Sequence, residues 1–280
     1  MALNKESNGY VITFSVVLVL VVSVLLVTVF SITKDRISQN QKLEKMQNIL
    51  AATNIQVDRD AAEAAYNETI VDAFALTETG EVQLKGDKEA IFNIDLAKEL
   101  SKPEGEKLFP VFVASKNDST FYILGMRGKG LWDAIWGYVS LQSDMKTVYN
   151  ASFDHKSETA GLGAEIKETW FTDKFKNKKI VNENGEFVSV SVIKKGTAPA
   201  SEYNVDGISG GTLTSDGLSA MLKMFFSAFY EYSKKVANNN PVIENVDMPV
   251  DSLTTDSLSA DIIQDGIDTL SASTNNNSNN

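Results

Sequence analysis

The sequence predicts an α+β protein: one N-terminal transmembrane helix followed by a soluble mixed domain with a largely antiparallel sheet flanked by helices. Three observations predict this class. An uncharged apolar run lies near the N-terminus, short β-rich runs divided by turn residues fill the middle, and a helical repeat closes the domain. Because 43% of the 280 residues are hydrophobic, the chain has enough apolar side chains for a folded core.

The N-terminal helix is predicted from the apolar run Val11–Phe30, VITFSVVLVLVVSVLLVTVF. No charged residue lies between Glu6 and Lys34, and a helix of this length spans about 30 Å, the thickness of the hydrocarbon core. A cleaved signal peptide is the alternative, but the run is longer than a signal-peptide core and no A-x-A-like cleavage site follows it. We therefore predict a short N-terminal segment, 1–10, and a transmembrane helix, 11–32.

The soluble domain is predicted to span 33–237 and to begin with an amphipathic connecting helix. Between residues 37 and 55, apolar side chains recur at helical spacing among charged ones, namely Leu43, Met46, Ile49 and Leu50. Strands are predicted in the runs VQL, FPVFVA and FYILGM and at 187–194, and the last helix at 215–236. The apolar face of that helix would consist of Leu218, Met221, Leu222, Phe225, Phe226 and Phe229.

The C-terminal segment, 238–280, is predicted to be an acidic, Ser/Asn-rich mobile tail. It holds seven acidic residues and no Lys or Arg, so only about −4 of the formal charge of −11 belongs to the rest of the chain. Neither part carries the clustered cations that nucleic-acid binding requires, so nucleic acid is not expected as a partner. The absence of Cys and the single His, His155, also exclude thiolate sites and multi-histidine metal sites.

The segment Asp206–Ser215, DGISGGTLTS, is the most informative stretch for function. Three glycines and four hydroxyl side chains lead into the predicted last helix. Glycine lets another group approach the backbone, and the N–H groups at a helix start attract phosphate, so one interpretation is a phosphate-handling loop. The other is an ordinary loop in which Ser215 or Asp216 caps the helix. The Lys of a Walker A loop is missing, which argues against a nucleotide site of that type.

Two further segments have ordinary structural interpretations when they are taken alone. Gly128–Trp132, GKGLW, followed by Trp136, would be a tight turn leading into a hairpin or helix with tryptophans in the core. Glu158–Gly163, ETAGLG, would be a glycine-rich surface turn. The single histidine, His155, and the pair Lys194–Lys195 are interpreted as solvated side chains without a catalytic role.

Residues 206–212, DGISGGT, nevertheless resemble the flavinylation motif D-x-x-[ST]-G-A-T. Together with the single span and the GKGLW and ETAGLG segments, the sequence from 9 to 236 resembles the family of the C subunit of the Na+-translocating NADH:quinone reductase. The resemblance implies that an FAD-dependent flavin transferase esterifies the phosphate of one FMN onto Thr212. Gly211 stands where the family usually has Ala, which puts the efficiency of attachment in question, and Ala160 stands where it has Pro.

The resemblance also implies which side chains surround the FMN. The indole of Trp132 would stack on the flavin, Glu158 and Thr159 would hydrogen-bond its polar edge, and Leu162 would pack on its face. The implied cofactor-binding residues are Thr212 (covalent), Trp132, Glu158, Thr159, Leu162, Ser209, Gly210 and Gly211, with Asp206 read by the transferase. No catalytic residue and no metal ligand is implied.

By the resemblance, the chain is an electron-transferring flavoprotein subunit of a membrane complex linked to NAD, Na+ transport and ubiquinone. Its partners would be the other subunits, the transferase and the lipid bilayer, while NADH oxidation and Na+ transport reside elsewhere in the complex. The family has a single pass in the bacterial inner membrane and a periplasmic domain. The cations that follow the span, Lys34, Arg36, Lys42 and Lys45, favour a cytoplasmic domain instead. We follow the family, because long domains translocate largely regardless of charge.

Two alternatives stay open at this point. The G subunit of the Rnf-type ferredoxin:NAD electron-transport complex shares the anchor and the flavinylation motif, although GKGLW and ETAGLG favour the quinone-reductase family. The second alternative is a membrane-tethered assembly or binding module without a cofactor, in which 209–215 is only a helix cap.

Overall fold

The computed structural model describes residues 8–194, 196–199 and 201–239, so nearly all of the predicted tail, 238–280, lies outside the described residues. The predicted α+β class is confirmed. The helices are α1 (Asn8–Ala51), α2 (Ala62–Thr69), α3 (Lys88–Phe92), α4 (Leu96–Glu99), α5 (Thr169–Thr172) and α6 (Thr212–Asn239). The strands are β1 (Ile70–Leu76), β2 (Val82–Lys85), β3 (Phe109–Lys116), β4 (Ser119–Lys129), β5 (Ala134–Leu141), β6 (Val148–His155), β7 (Ser191–Ile193) and β8 (Asn204–Asp206).

Helix α1 combines the predicted span and the predicted connecting helix in one unbroken element. Within the described part of the chain it is the only helix long and apolar enough to cross a membrane, and its apolar window is not buried by the protein. Its last turns are amphipathic as predicted, because Met46, Ile49 and Leu50 are buried and Leu43 packs beside them. The helix runs through residue 32, so the boundary between span and domain stays a prediction.

Polar side chains of the sheet fix the end of α1 to the domain. The carbonyl of Ala51 accepts a hydrogen bond from Nδ2 of Asn150 at 2.8 Å, and the carbonyl of Ala52 accepts one from the hydroxyl of Ser140. The last carbonyls of a helix have no partner within the helix, so these contacts satisfy groups that burial would otherwise leave unpaired.

The main sheet has six strands in the order β2-β1-β3-β4-β5-β6, and every neighbouring pair is antiparallel. The three predicted runs lie in β2, β3 and β4. Of the predicted strand at 187–194, only β7 forms a strand, and it pairs in parallel with β8; Phe187 forms an isolated bridge with Val181. Strand β6 was not singled out from the sequence.

Helices cover both faces of the main sheet. Because side chains alternate across each strand, each face carries apolar side chains, which pack against a helix. On one face α6 packs with the apolar side chains predicted for it, and the rings of Phe109 and Phe225 lie 4.5 Å apart between centroids. On the other face Phe112 packs against Tyr66 of α2, with α1 and α3 alongside. Near its start, at Gly217, α6 lies beside the end of β4 and the turn that joins β4 to β5.

Candidate functional site

The motif segment 206–212 reverses the chain between β8 and α6. The loop turns at Gly210, whose φ of +75° favours glycine, and α6 begins at Thr212. The N–H of Ser215 donates to the carbonyl of Gly211 at 2.9 Å, as a helix that starts at Thr212 requires. The prediction that this helix starts at 215, with Ser215 or Asp216 as its cap, is therefore wrong. The chain already turns at Gly210 and Gly211, so the helix begins three residues earlier.

Two threonines of the first helical turn differ sharply in accessibility. Thr212 is exposed at the helix start. Thr214 is 1% exposed, and its hydroxyl donates to Oε2 of Glu158 at 2.6 Å. Of these two hydroxyls, only that of Thr212 is presented to solvent.

The carboxylate of Glu158 joins three segments around the start of α6. Its Oε2 accepts the Thr214 hydroxyl, and its Oε1 accepts the backbone N–H of Trp132 at 2.9 Å. The residue is 7% exposed, and a Cβ added at Gly130 or Gly163 would collide with the carboxylate. Both oxygens are thus engaged within the chain. Glu158 thus holds the segments together, and the hydrogen bond from Glu158 to the polar edge of the flavin, which the family resemblance implies, stays a prediction.

Hydrogen bonding keeps Glu158 ionised despite its burial. Burial raises the pKa of Glu158, but the hydrogen bonds from Thr214 and from the N–H groups of Trp132 and Asp133 outweigh it and hold the pKa below its ordinary value of 4.5. Because the pKa is lower in the folded than in the unfolded state, ionised Glu158 stabilises the fold above about pH 4.5. This contribution is lost as the pH falls through the lowered pKa.

We therefore predict that Glu158→Gln removes part of the acid sensitivity of the domain. Denaturant unfolding at neutral pH and below about pH 4 measures the free energy of unfolding of both proteins. The wild type should lose more stability on acidification than the variant. Equal losses of unfolding free energy in the two proteins would contradict a stabilising role for ionised Glu158.

A shallow cavity of about 120 Å³ lies beside the start of α6. Its lining consists of Leu131, Glu158, Thr159, Leu162, Gly163 and residues 210–214. Trp132 stands at the rim, where its indole N–H donates to the hydroxyl of Thr159 at 3.2 Å. Trp132 is 66% exposed, and Trp136 is half-buried on the face of the sheet that α1 covers. The expectation that both tryptophans lie in the core is therefore wrong.

A second cavity, of about 190 Å³, lies on the other side of the motif loop. It is lined by Val192, Ile193, Lys194, Gly207, Ile208, Ser209, Gly210, Thr212, Ser215 and Asp216. Ser209 and Gly210 are exposed, and the carbonyl of Asp206 accepts a hydrogen bond from Nζ of Lys174 at 3.3 Å. Thr212 and Gly210 line both cavities, so the structure brings the predicted motif and the two other predicted segments together at Thr212.

His155 is not the solvated side chain predicted from the sequence. It is half-buried, its Nδ1 accepts the backbone N–H of Glu158 at 3.2 Å, and its Nε2 is buried without a partner among the described residues. Lys194 is exposed as predicted, just after β7, whereas Lys195 is not among the described residues. Within the described ranges, no group of three metal-ligating side chains occurs.

Sequence reasoning missed several residues of this site. Thr214 was counted only among the four hydroxyl side chains of the 206–215 segment, and Leu131 and Gly163 were interpreted only as parts of turns. The available signal was the cluster of hydroxyls after the glycine pair, but nothing in the sequence links Thr214 to a carboxylate 56 positions away.

Comparisons with known proteins show which proteins the chain is similar to. Residues 130–226 match the family described as FMN-binding domain. The chain is similar to the C subunit of the Na(+)-translocating NADH-quinone reductase of Haemophilus ducreyi, with 30% identity over 236 residues, covering 80% of this chain and 91% of that protein. It is 29% identical over 227 residues to the corresponding C subunit of Vibrio alginolyticus, covering 76% of this chain and 87% of that protein.

Solved structures show the same likeness. The crystal structure of the C subunit of the Na(+)-translocating NADH-quinone reductase from Parabacteroides distasonis is 42% identical, with a TM-score of 0.64, covering 71% of this chain and 96% of that chain. The crystal structure of Shewanella oneidensis NqrC is 19% identical, with a TM-score of 0.57, covering 70% of this chain and 99% of that chain, and this match supports the fold alone.

Proposed function

Because the chain belongs to the C-subunit family of the Na+-translocating NADH-quinone reductase, we propose that it carries one FMN as a phosphoester on Thr212 and passes electrons between redox centres of that complex. Members of this family are subunits of an oxidoreductase complex, and residues 130–226 of the chain match the FMN-binding domain family. The observation that carries the proposal is the exposed Thr212 at the first residue of a long helix, beside a cavity whose lining includes five other predicted flavin residues: Glu158, Thr159, Leu162, Gly210 and Gly211.

The helix start makes Thr212 a suitable place for a phosphoester. The N–H groups of the first turn and the helix dipole favour a negative charge there. In the proposed attachment, the Thr212 oxygen forms a bond to the FMN phosphorus of FAD, the bond between the two phosphates breaks, AMP leaves, and a base of the transferase takes the hydroxyl proton. Thr214 is a poor nucleophile by comparison, because its hydroxyl is buried and bound to Glu158.

The residues around Thr212 fit a flat ring system with one polar edge. The neighbouring cavity, at about 120 Å³, is well below the roughly 300 Å³ or more of a pocket that encloses a whole ligand, so a ring attached here would lie across its mouth. The exposed side chains at that mouth are the indole of Trp132, the hydroxyl of Thr159 and the apolar side chains of Leu131 and Leu162. Burial of Trp132 and Leu162 beneath a flavin would remove exposed apolar surface from water.

The bound FMN would supply the electron-carrying chemistry. The chain would supply a fixed position through Thr212, a stacking surface through Trp132 and exclusion of water through Leu162. Each electron taken from one partner centre is given to the next, so no residue of the chain has to act as a general acid or base. Among the described residues we accordingly assign no catalytic residue, and we place NADH oxidation, Na+ transport and quinone reduction in other subunits.

Purification of the full chain with and without a co-produced flavin transferase tests this proposal. We predict a yellow protein only in the presence of the transferase, with flavin absorbance and fluorescence that remain with the polypeptide after denaturation. A colourless protein under both conditions would favour the cofactor-free binding module. Flavin released on denaturation would contradict covalent attachment. The named relatives favour the quinone-reductase family over the Rnf-type G subunit.

The long apolar helix is consistent with a single-pass membrane anchor. We propose, from the family resemblance, that the anchor lies in the bacterial inner membrane with the soluble domain on the periplasmic side, where the transferase would act. Protease added to intact spheroplasts should then digest the region from Thr69 to Val236. Protection of this region in intact spheroplasts, with digestion after lysis, would place the domain in the cytoplasm, as the four cations after the span suggest.

A further inference from the structure

A buried carboxylate charge lies in the wall of the cavity beside Thr212. Glu158 lines that cavity, and its two oxygens are bound by the hydroxyl of Thr214 and the backbone N–H of Trp132. Both donors are neutral groups. They stabilise the ionised carboxylate by hydrogen bonding, but they leave its negative charge in place.

Among the described residues, no lysine or arginine forms an ion pair with this charge. Glu158 forms no ion pair there, whereas the neighbouring Asp133 is paired with Lys156 at 2.8 Å. His155 lies next to this carboxylate: its Nδ1 accepts the backbone N–H of Glu158 at 3.2 Å, and its Coulombic interaction with Glu158 helps to lower the pKa of the carboxyl. Lys129 is the nearest basic residue along the β4–β5 turn, and it is exposed to solvent.

The surrounding backbone is built to accommodate the carboxylate. A Cβ on Gly130 would overlap Oε1, and one on Gly163 would overlap Oε2 together with the Thr214 hydroxyl. The charge is therefore fixed in position by three segments of chain. A fixed charge inside a protein interacts with a neighbouring charge more strongly than one in water, because fewer mobile dipoles screen it.

Reduction of a flavin adds negative charge to its ring system, and a fixed negative charge nearby opposes that addition. We propose that Glu158, without having to touch the cofactor, lowers the reduction potential of the flavin carried on Thr212. This inference rests on the proposed function, since it requires a flavin beside the cavity. Glu158 thus has two roles: it positions Trp132 and the start of α6, and its charge makes the bound flavin a stronger electron donor.

A redox titration of the full flavinylated protein in detergent, followed by flavin absorbance, separates the charge from the positioning role. Glu158→Gln keeps the size and planarity of the side chain and removes the charge. Thr214→Val is the matched control, because it removes one hydrogen bond to the same carboxylate and leaves the charge. We expect the reduction potential of the flavin in Glu158→Gln to be higher than in the wild type by at least about 29.6 mV, which corresponds to a tenfold change in the two-electron equilibrium constant. The potential of Thr214→Val should differ from that of the wild type by less than this amount.

Each outcome bears on the inference. An unchanged potential in Glu158→Gln would overturn it, and equal shifts in Glu158→Gln and Thr214→Val would also overturn it by assigning the effect to positioning. If the Gln variant does not fold, Glu158→Ala removes the same charge and leaves room for water to bond the freed groups, and it should give the same upward shift. A wild-type protein that carries no covalent flavin would defeat the proposed function, whereas a flavinylated protein without the shift defeats only the role of Glu158.

Discussion

Thr212→Ala is expected to abolish covalent flavin attachment when the protein is produced with its transferase. The substitution removes the one hydroxyl that the first turn of α6 presents to solvent and leaves the loop and the helix otherwise intact. Thr214→Ala should retain the flavin, because the Thr214 hydroxyl is engaged with Glu158 and is not available as a nucleophile. Flavin fluorescence of the denatured protein, normalised to protein absorbance, measures the loss.

Thr212→Ser is the matched control for this experiment. It keeps a hydroxyl on the same carbon and should retain covalent flavin, which would show that the loss in Thr212→Ala is chemical and not structural. Covalent flavin that persists in Thr212→Ala would contradict the assignment of the attachment residue.

The largest effect on stability is expected from Gly217→Ala. Helix α6 crosses the end of β4 so closely at Gly217 that an added Cβ would overlap the carbonyl oxygen of Lys129, which is backbone and cannot rotate away. Overpacking of this kind typically destabilises a protein by about 1–3 kcal/mol, and occasionally more, and we expect at least the upper end of this range. For a domain of this size that corresponds to a decrease of about 6–12 °C in Tm.

Gly211→Ala provides a matched control only one turn and a half away. A Cβ there would lie 3.3 Å from side-chain atoms of Ile208, a contact that a small shift relieves, and the substitution restores the residue usual in the family motif. Thermal unfolding followed by circular dichroism should show a Tm close to that of the wild type for Gly211→Ala and a much lower one for Gly217→Ala. Similar Tm values for the two variants would contradict the close crossing of α6 and β4.

Periodicity was sufficient to predict the apolar face of α6 and the buried face at the end of α1, because each pattern is local and repeats over several turns. Strand β6 was missed since it carries Asn150 and Asp154 among its apolar residues, so its run does not read as a β-rich segment. The start of α6 was placed too late because Thr212 and Thr214 are weak helix formers, and the glycine pair before them determines the start.

The candidate site was predictable as far as it depends on local motifs. The family resemblance, which rests on short runs of sequence, names Thr212, Trp132 and the 158–163 segment as candidates, and the fold brings them together. The hydrogen bonds of the Glu158 carboxylate were not predictable, because their donors, Trp132 and Thr214, lie 26 and 56 positions away from Glu158 along the chain. Only the antiparallel pairing of β4 with β5 and of β5 with β6, together with α6 on the sheet, brings these groups within hydrogen-bonding distance.

Peptide mapping by mass spectrometry of the full chain produced with its transferase tests most directly whether Thr212 carries the FMN. The proposed phosphoester predicts a single modified peptide whose mass is increased by FMN less one water, with fragment ions that place the increase on Thr212. An increase placed on Thr214, or a full-length protein whose mass is that of the unmodified polypeptide, would contradict the proposal.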